Sequence, residues 1–173
     1  MSTTEKIVYD WDTLPWNKFE RSVFKLQKRI YQAAQREDSS AVHKLQRLLL
    51  KSKAAVFVSV RRVTQINRGK KTAGVDGLSS LSKKQRLELV QKILENPLLA
   101  KAKPVRRVWI PKPGGSEKRP LGIPTVRDRV VQTALLHVIE PILDATFHER
   151  SFGFRHGRSC HGALRVVEEL LEN

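Results

Sequence analysis

The sequence predicts a mainly helical α+β fold, with N-terminal helices followed by one β-hairpin and further packed helices. Three observations point there. Apolar residues recur at steps of three and four through most of the chain, which is the spacing of one helix face. Two short β-branched runs, Val105 to Ile110 and Leu121 to Val126, flank a stretch rich in Pro and Gly, the pattern of a hairpin. The length of 173 residues, 40% of them hydrophobic, suits one domain or one helical region joined to another.

The elements follow in order. Trp16, Phe19, Val23, Leu26, Ile30 and Ala33 form one apolar stripe on a helix from about Pro15 to Arg36. Asp12 or Thr13 is expected to cap it, with Pro15 in the first turn, where its missing N–H costs nothing. A polar turn, Arg36 to Ser40, leads to a second helix capped by Ser39 or Ser40. Its stripe is Val42, Leu45, Leu48, Leu49, Ser52 and Val56, and it either continues to Ile66 or breaks near Lys53. Asn67 to Gly77 holds three glycines and an Asp-Gly pair and reads as a loop. A helix from about Ser82 to Leu94 turns Leu87, Val90, Ile93 and Leu94 inward and ends before Pro97. After the hairpin, Arg127 to Ala145 returns to helical spacing through Val130, Val131, Ala134, Leu135, Val138, Ile139 and Ile142, with Pro141 near its end. A loop through Phe152-Gly153-Phe154 leads to a last helix, Ser159 to Leu171.

Charge narrows the function. The chain carries 33 Lys and Arg against 17 Asp and Glu, a net +16, and such an excess calls for a polyanionic partner. Only 6% of residues are aromatic, which disfavours a membrane-surface helix, and no apolar run approaches the ~20 residues of a span. No membrane partner is expected; nucleic acid is. Cys160 is the sole cysteine, so neither a disulfide within the chain nor a cysteine zinc cluster is available, which fits a reducing interior.

Cations crowd the hairpin: Lys101, Lys103, Arg106, Arg107, Lys112, Lys118, Arg119, Arg127 and Arg129 against only Glu117 and Asp128. Alternation along the strands is expected to make one face basic while Val105, Ile110, Leu121 and Ile123 pack. Pro111 and Pro113 stiffen the strand exit, and Gly114-Gly115 allows a tight turn. Such a tip suits a triphosphate clamp, with Arg as a fork and Lys as a point charge, or equally a solvated strand pair whose cations keep the edge from aggregating.

Four ordered stretches carry a resemblance. Arg106-Arg107-Val108-Trp109-Ile110-Pro111-Lys112-Pro113 with Arg119-Pro120-Leu121-Gly122-Ile123-Pro124-Thr125-Val126-Arg127-Asp128-Arg129 resembles the first core block of group II intron reverse transcriptases. Ala134 through Phe147, then Ser151-Phe152-Gly153-Phe154-Arg155-His156-Gly157-Arg158-Ser159, resembles the second, with His156 where the family usually has proline. Asn67 through Gly77 resembles the loop ahead of the fingers, and Trp11 through Val63 resembles the bacterial N-terminal extension.

The resemblance implies a right-hand polymerase of the group II intron reverse transcriptase/maturase family. It divides the chain into an N-terminal helical extension, 1–66, a glycine-rich lid loop and helix, 67–100, and the fingers, 101–173. It assigns the phosphates of the incoming nucleotide to Lys112 and Arg119, with Arg106 a third contact. Template RNA falls to the lid residues Arg68, Lys70 and Lys71, and to Phe154, Arg155 and Arg158. Intron RNA falls to the extension helix, whose cations off the apolar stripe are Lys18, Arg21, Lys25, Lys28 and Arg29. Primer–template duplex and dNTP are partners of the complete enzyme, and Mg²⁺ its expected cofactor. The family's palm aspartates, which hold the metals, have no counterpart before Asn173. The chain alone is therefore expected to hold no cofactor and to be inactive, working in a bacterial cytoplasm as part of an RNA-directed DNA polymerase and splicing cofactor. The other reading is a self-sufficient RNA-binding or RNA-chaperone module. A relative attached to CRISPR or diversity-generating systems is a weaker third.

Overall fold

The computed structural model describes residues 10–95 and 101–172, and it has the mainly helical α+β architecture. Helix α1 runs Trp16–Gln35 and α2 Ser39–Leu50. The chain breaks at Lys51 and Ser52 and continues as α3, Lys53–Arg61, which widens into a π turn over Arg62–Ile66. Of the two courses open for this region, a break near Lys53 is the one taken. A single 3₁₀ turn, Arg68–Lys71, interrupts the glycine-rich loop before α4, Lys83–Glu95. Pro97, the expected stop of α4, lies outside the described residues. Strands β1, Arg106–Pro111, and β2, Lys118–Ile123, form an antiparallel hairpin. Helices α5, Val126–Thr146, and α6, Cys160–Leu171, complete the order.

Both early caps differ from expectation. The residue before α1 is Pro15, with no side-chain cap, and the Asp12 carboxylate instead pairs with Lys83, the first residue of α4. Asp38, not Ser39 or Ser40, caps α2, its carboxylate accepting from the Ala41 N–H at 2.9 Å. A carboxylate at the cap also meets the positive end of the helix, which a serine hydroxyl does less well. Thr125 caps α5 in the same manner, accepting from the Asp128 N–H.

The stripe of α1 turns inward, with Val23, Ile30 and Ala33 buried and Trp16, Phe19 and Leu26 half-buried, and two apolar cores divide the work. One gathers Val23, Ile30 and Ala33 of α1 with Val42, Leu45 and Leu49 of α2, Ala55 of α3 and Val138 of α5. The other joins Trp11, Leu14, Val56, Val60 and Val63 to Val90 and Ile93 of α4 and Val126 and Val130 of α5. Both cores draw on residues from each side of position 100, so α5 supports the N-terminal helices as well as the hairpin it follows. Around the second core the rings of Trp11 and Trp16 lie 4.9 Å apart, Phe19 stacks on Phe57 at 5.2 Å, and Arg61 covers Trp16 at 4.6 Å. The indole N–H groups of these two residues are satisfied, Trp11 by the Gln65 side chain and Trp16 by the Trp11 carbonyl.

Pro141 sits inside α5 and leaves the His137 carbonyl without its helical donor. Gln27 of α1 supplies one at 3.2 Å, and Gln46 of α2 donates to the neighbouring Val138 carbonyl, also at 3.2 Å. The inward set expected for α5 holds at Val130 and Val138 but fails at Leu135 and Ile139, which are exposed beside Leu136 and Leu143. No residue of α6 is buried, although its sequence is strongly two-faced. Among the described residues, no helix is long and apolar enough to cross a membrane.

Candidate nucleic-acid interface

Lys18, Arg21, Lys25, Lys28 and Arg29 are all exposed, and steps of three and four place them along one face of α1 opposite its buried stripe. The face runs on into a shallow groove at the start of the helix, lined by Trp16, Lys18, Arg21, Lys25 and Arg61. A row of cations on several successive turns presents charge along a line, which suits an extended phosphate backbone.

The hairpin register settles which cations share a face. Arg106 lies opposite Ile123, Val108 opposite Leu121, and Ile110 opposite Arg119. Arg106, Lys112 and Arg119 therefore point to one side of the ribbon, together with Val108, Ile110, Leu121 and Ile123. Arg107, Trp109 and Lys118 point to the other. The expected split into one basic and one packed face is thus overturned. Val105 is 51% and Leu121 46% exposed; Ile123 is buried and Ile110 half-buried. The reason is parity: Val105 and Ile110 are five residues apart and cannot face the same way. The Lys112 ammonium pairs with Glu117 at 2.7 Å across the tip, where Gly114 takes φ +78°. Both partners are exposed, so the pair contributes less than about 1 kcal/mol and yields readily to a stronger anion.

The glycine-rich loop is latched to the start of α5. Arg129 donates to the carbonyls of Gly69 at 2.8 Å and Thr72 at 2.7 Å. Gly74 lies so close to the Pro124–Thr125 backbone that a Cβ would sit 2.8 Å from the Pro124 carbonyl oxygen. Lys70 donates back to the Gln65 carbonyl at 2.6 Å, while Arg68 and Lys71 are exposed. The Asp128 carboxylate accepts from Thr125 Oγ1 at 2.7 Å and from the Lys103 N–H at 3.2 Å. The Thr125–Arg129 turn therefore holds both the glycine-rich loop and the entry to β1. By charge alone Arg129 belongs with the cations that crowd the hairpin; its two carbonyl partners give it a structural task.

Phe154, Arg155 and Arg158 stand differently from one another. Phe154 projects fully into solvent from a left-handed backbone, φ +58°. The Arg155 side chain is 8% exposed and clasps Asp144 at 2.6–2.7 Å, with further bonds to the His148 and Ser151 carbonyls. Its guanidinium is occupied in fixing the α5–α6 connection. Arg158 lies 5.3 Å above the Phe152 ring. His156 faces Glu140 at 3.8 Å. Among the described residues no group of three His, Cys, Asp or Glu is placed to hold a metal ion.

Residues 11–93 match the family described as the N-terminal domain of reverse transcriptase, so the layer α1–α4 is a domain of that class. The chain belongs to the group II intron reverse transcriptase/maturase family and corresponds to its N-terminal region. It is 38% identical over 149 residues to Protein YkfC of Escherichia coli, covering 84% of this chain and 38% of that protein. It is 31% identical over 168 residues to Maturase-like protein 1 of Euglena gracilis, covering 91% of this chain and 34% of that one. Group II intron-encoded protein LtrA of Lactococcus lactis is 35% identical over 104 residues, 59% of this chain and 17% of LtrA. The chain thus spans little more than a third of the length of the first two relatives.

Proposed function

We propose that this region binds group II intron RNA through the cationic face of α1 and, within a longer RNA-directed DNA polymerase, holds the phosphates of the incoming nucleotide on the hairpin. The observation that carries the reading is the separation of two exposed cation sets. Five spread along α1, and three, Arg106, Lys112 and Arg119, share one side of a short ribbon with a glycine tip. A compact triphosphate suits the second arrangement, with Arg119 as a fork and Lys112 released from Glu117. Arg68 and Lys71 on the lid, with Phe154 and Arg158, are proposed to meet template RNA, and Arg155 to position Phe154. Primer–template duplex is the proposed partner of the longer protein, with Mg²⁺ held by carboxylates elsewhere in it, so the chain alone is expected to extend no primer. The bacterial cytoplasm is the proposed compartment, although the family also includes a relative named Nuclear intron maturase 2, mitochondrial, of Arabidopsis thaliana.

The test compares two variants in a complete polymerase carrying this region. Arg119→Ala should raise the apparent KM for nucleotides, a lost charge-assisted contact being worth roughly 1.5–3 kcal/mol, and leave intron RNA affinity nearly unchanged. Replacing Lys25, Lys28 and Arg29 together with Ala should do the reverse. If both variants weaken RNA binding alike and neither moves nucleotide KM, all the cations act as one diffuse field and the division is wrong.

A further inference from the structure

The cationic face of α1 carries a large apolar side chain that is mostly exposed. Phe24 is 66% exposed, although it follows the buried Val23 directly. A helix turns by 3.6 residues, so Phe24 points away from the core stripe. Arg21 lies three residues before it and Lys28 four residues after, which makes them its neighbours on the helix surface. Tyr31, half-buried two turns on, continues the row and receives a hydrogen bond from Gln35 at 3.1 Å.

We propose that Phe24 is a stacking platform for an unpaired base of the RNA that α1 holds, an inference that rests on the RNA-binding reading of this helix. Phosphate neutralisation by Arg21, Lys25 and Lys28 does not distinguish paired from unpaired strands. An exposed ring does, because a base within a duplex has no free face to offer, whereas a looped or bulged base has two. Every base has a π face, so the site selects for strand state rather than sequence. Charge complementarity fixes the occupant: an apolar protein surface brought to Phe24 would have to desolvate Arg21 and Lys28 on either side of it, while RNA meets both with phosphates.

The chain is titrated with two RNAs of equal nucleotide count, one a continuous duplex and the other a stem with a single unpaired 2-aminopurine. Phe24→Ala should weaken binding of the second by about 5- to 150-fold, following the range for loss of one stacked base, and change duplex binding less than about twofold. Phe24→Trp should restore it, and Phe24→Leu should not, since leucine offers apolar area without a π face. The fluorescence of 2-aminopurine should be quenched by the native chain and not by Phe24→Ala. Exposure of the side chain makes all three variants compatible with folding. If Phe24→Ala binds both RNAs as the native chain does, while the Lys25/Lys28/Arg29 variant loses both, stacking is refuted and the RNA-binding role of α1 stands. Rescue by leucine also refutes stacking. If the native chain binds neither RNA, the reading on which the proposal rests falls with it.

Discussion

The side-chain amide of Gln27 donates to the main-chain carbonyl of His137 at 3.2 Å, joining α1 to α5 four residues before Pro141. The proline leaves that carbonyl unpaired within the helix, and a residue 110 positions away supplies the missing donor. Gln27→Leu keeps the volume and removes the donor. It should lower stability by about 1–3 kcal/mol, the cost of a buried acceptor left without a partner, as read by urea denaturation. A variant as stable as the native chain would mean that water replaces the amide.

The His137 ring is itself buried, and its Nε2 has no partner. Burial, with the Arg62 guanidinium adding to it, pushes its pKa down from 6.5 to about 4. The folded chain therefore holds the neutral ring, and its contribution to stability is complete above pH 6.5. That contribution is lost as the pH falls from about 6.5 through about 4, where the unfolded chain takes up a proton that the folded one refuses. The loss attributable to this residue should be on the order of 3 kcal/mol. His137→Leu should flatten the difference between stabilities measured at pH 7 and pH 4.5. Equal acid sensitivity in both proteins would show that other groups set it.

Arg129 joins α5 to a loop some sixty residues earlier, and its fork matches two carbonyls at once. Arg129→Lys retains the charge but can reach at most one of them well. Both Arg129→Lys and Arg129→Ala should speed amide hydrogen exchange across residues 67–80 while leaving exchange in α1 and α2 unaltered. Gly74→Ala should have a similar effect, because the added methyl meets rigid backbone at Pro124 and Thr125. Unchanged exchange in the loop would show that these contacts do not hold it.

Arg155 offers a contrast between a positioning and a contacting role. Its guanidinium satisfies Asp144 and the carbonyls of the connection to α6. Arg155→Ala should expose residues 147–158 to proteolysis and lower thermal stability, with or without RNA present. Arg158→Ala should change neither. If Arg155→Ala leaves proteolysis unaltered and weakens only RNA binding, the side chain serves the template directly.

The helices were legible because each rests on a local period: the stripe from Trp16 to Ala33 turns inward, its later members Val23, Ile30 and Ala33 fully buried. The hairpin was legible from its β-branched runs and its Pro/Gly tip, and its faces could have been read from parity, since Arg106 and Ile110 are four residues apart. The caps were less so, because Asp38 and Ser39 are both good capping residues and only the backbone path decides between them. The latch by Arg129 and the donation by Gln27 to the carbonyl before Pro141 join residues far apart in the chain, and no local pattern marks them. Phe24 left one signal, an aromatic residue off the stripe between Arg21 and Lys28.

We propose that this chain grips RNA chiefly by neutralising phosphates with exposed cations, foremost those of α1. The most direct measurement is the dissociation constant for structured intron RNA as a function of salt, for the native chain and for the Lys25/Lys28/Arg29→Ala variant. With six to ten effective contacts, the native affinity should fall by about 10³–10⁵ between about 50 and 200 mM salt, and the variant should show a slope shallower by about two to three. A flat salt dependence, or a variant with the native slope, would contradict the account.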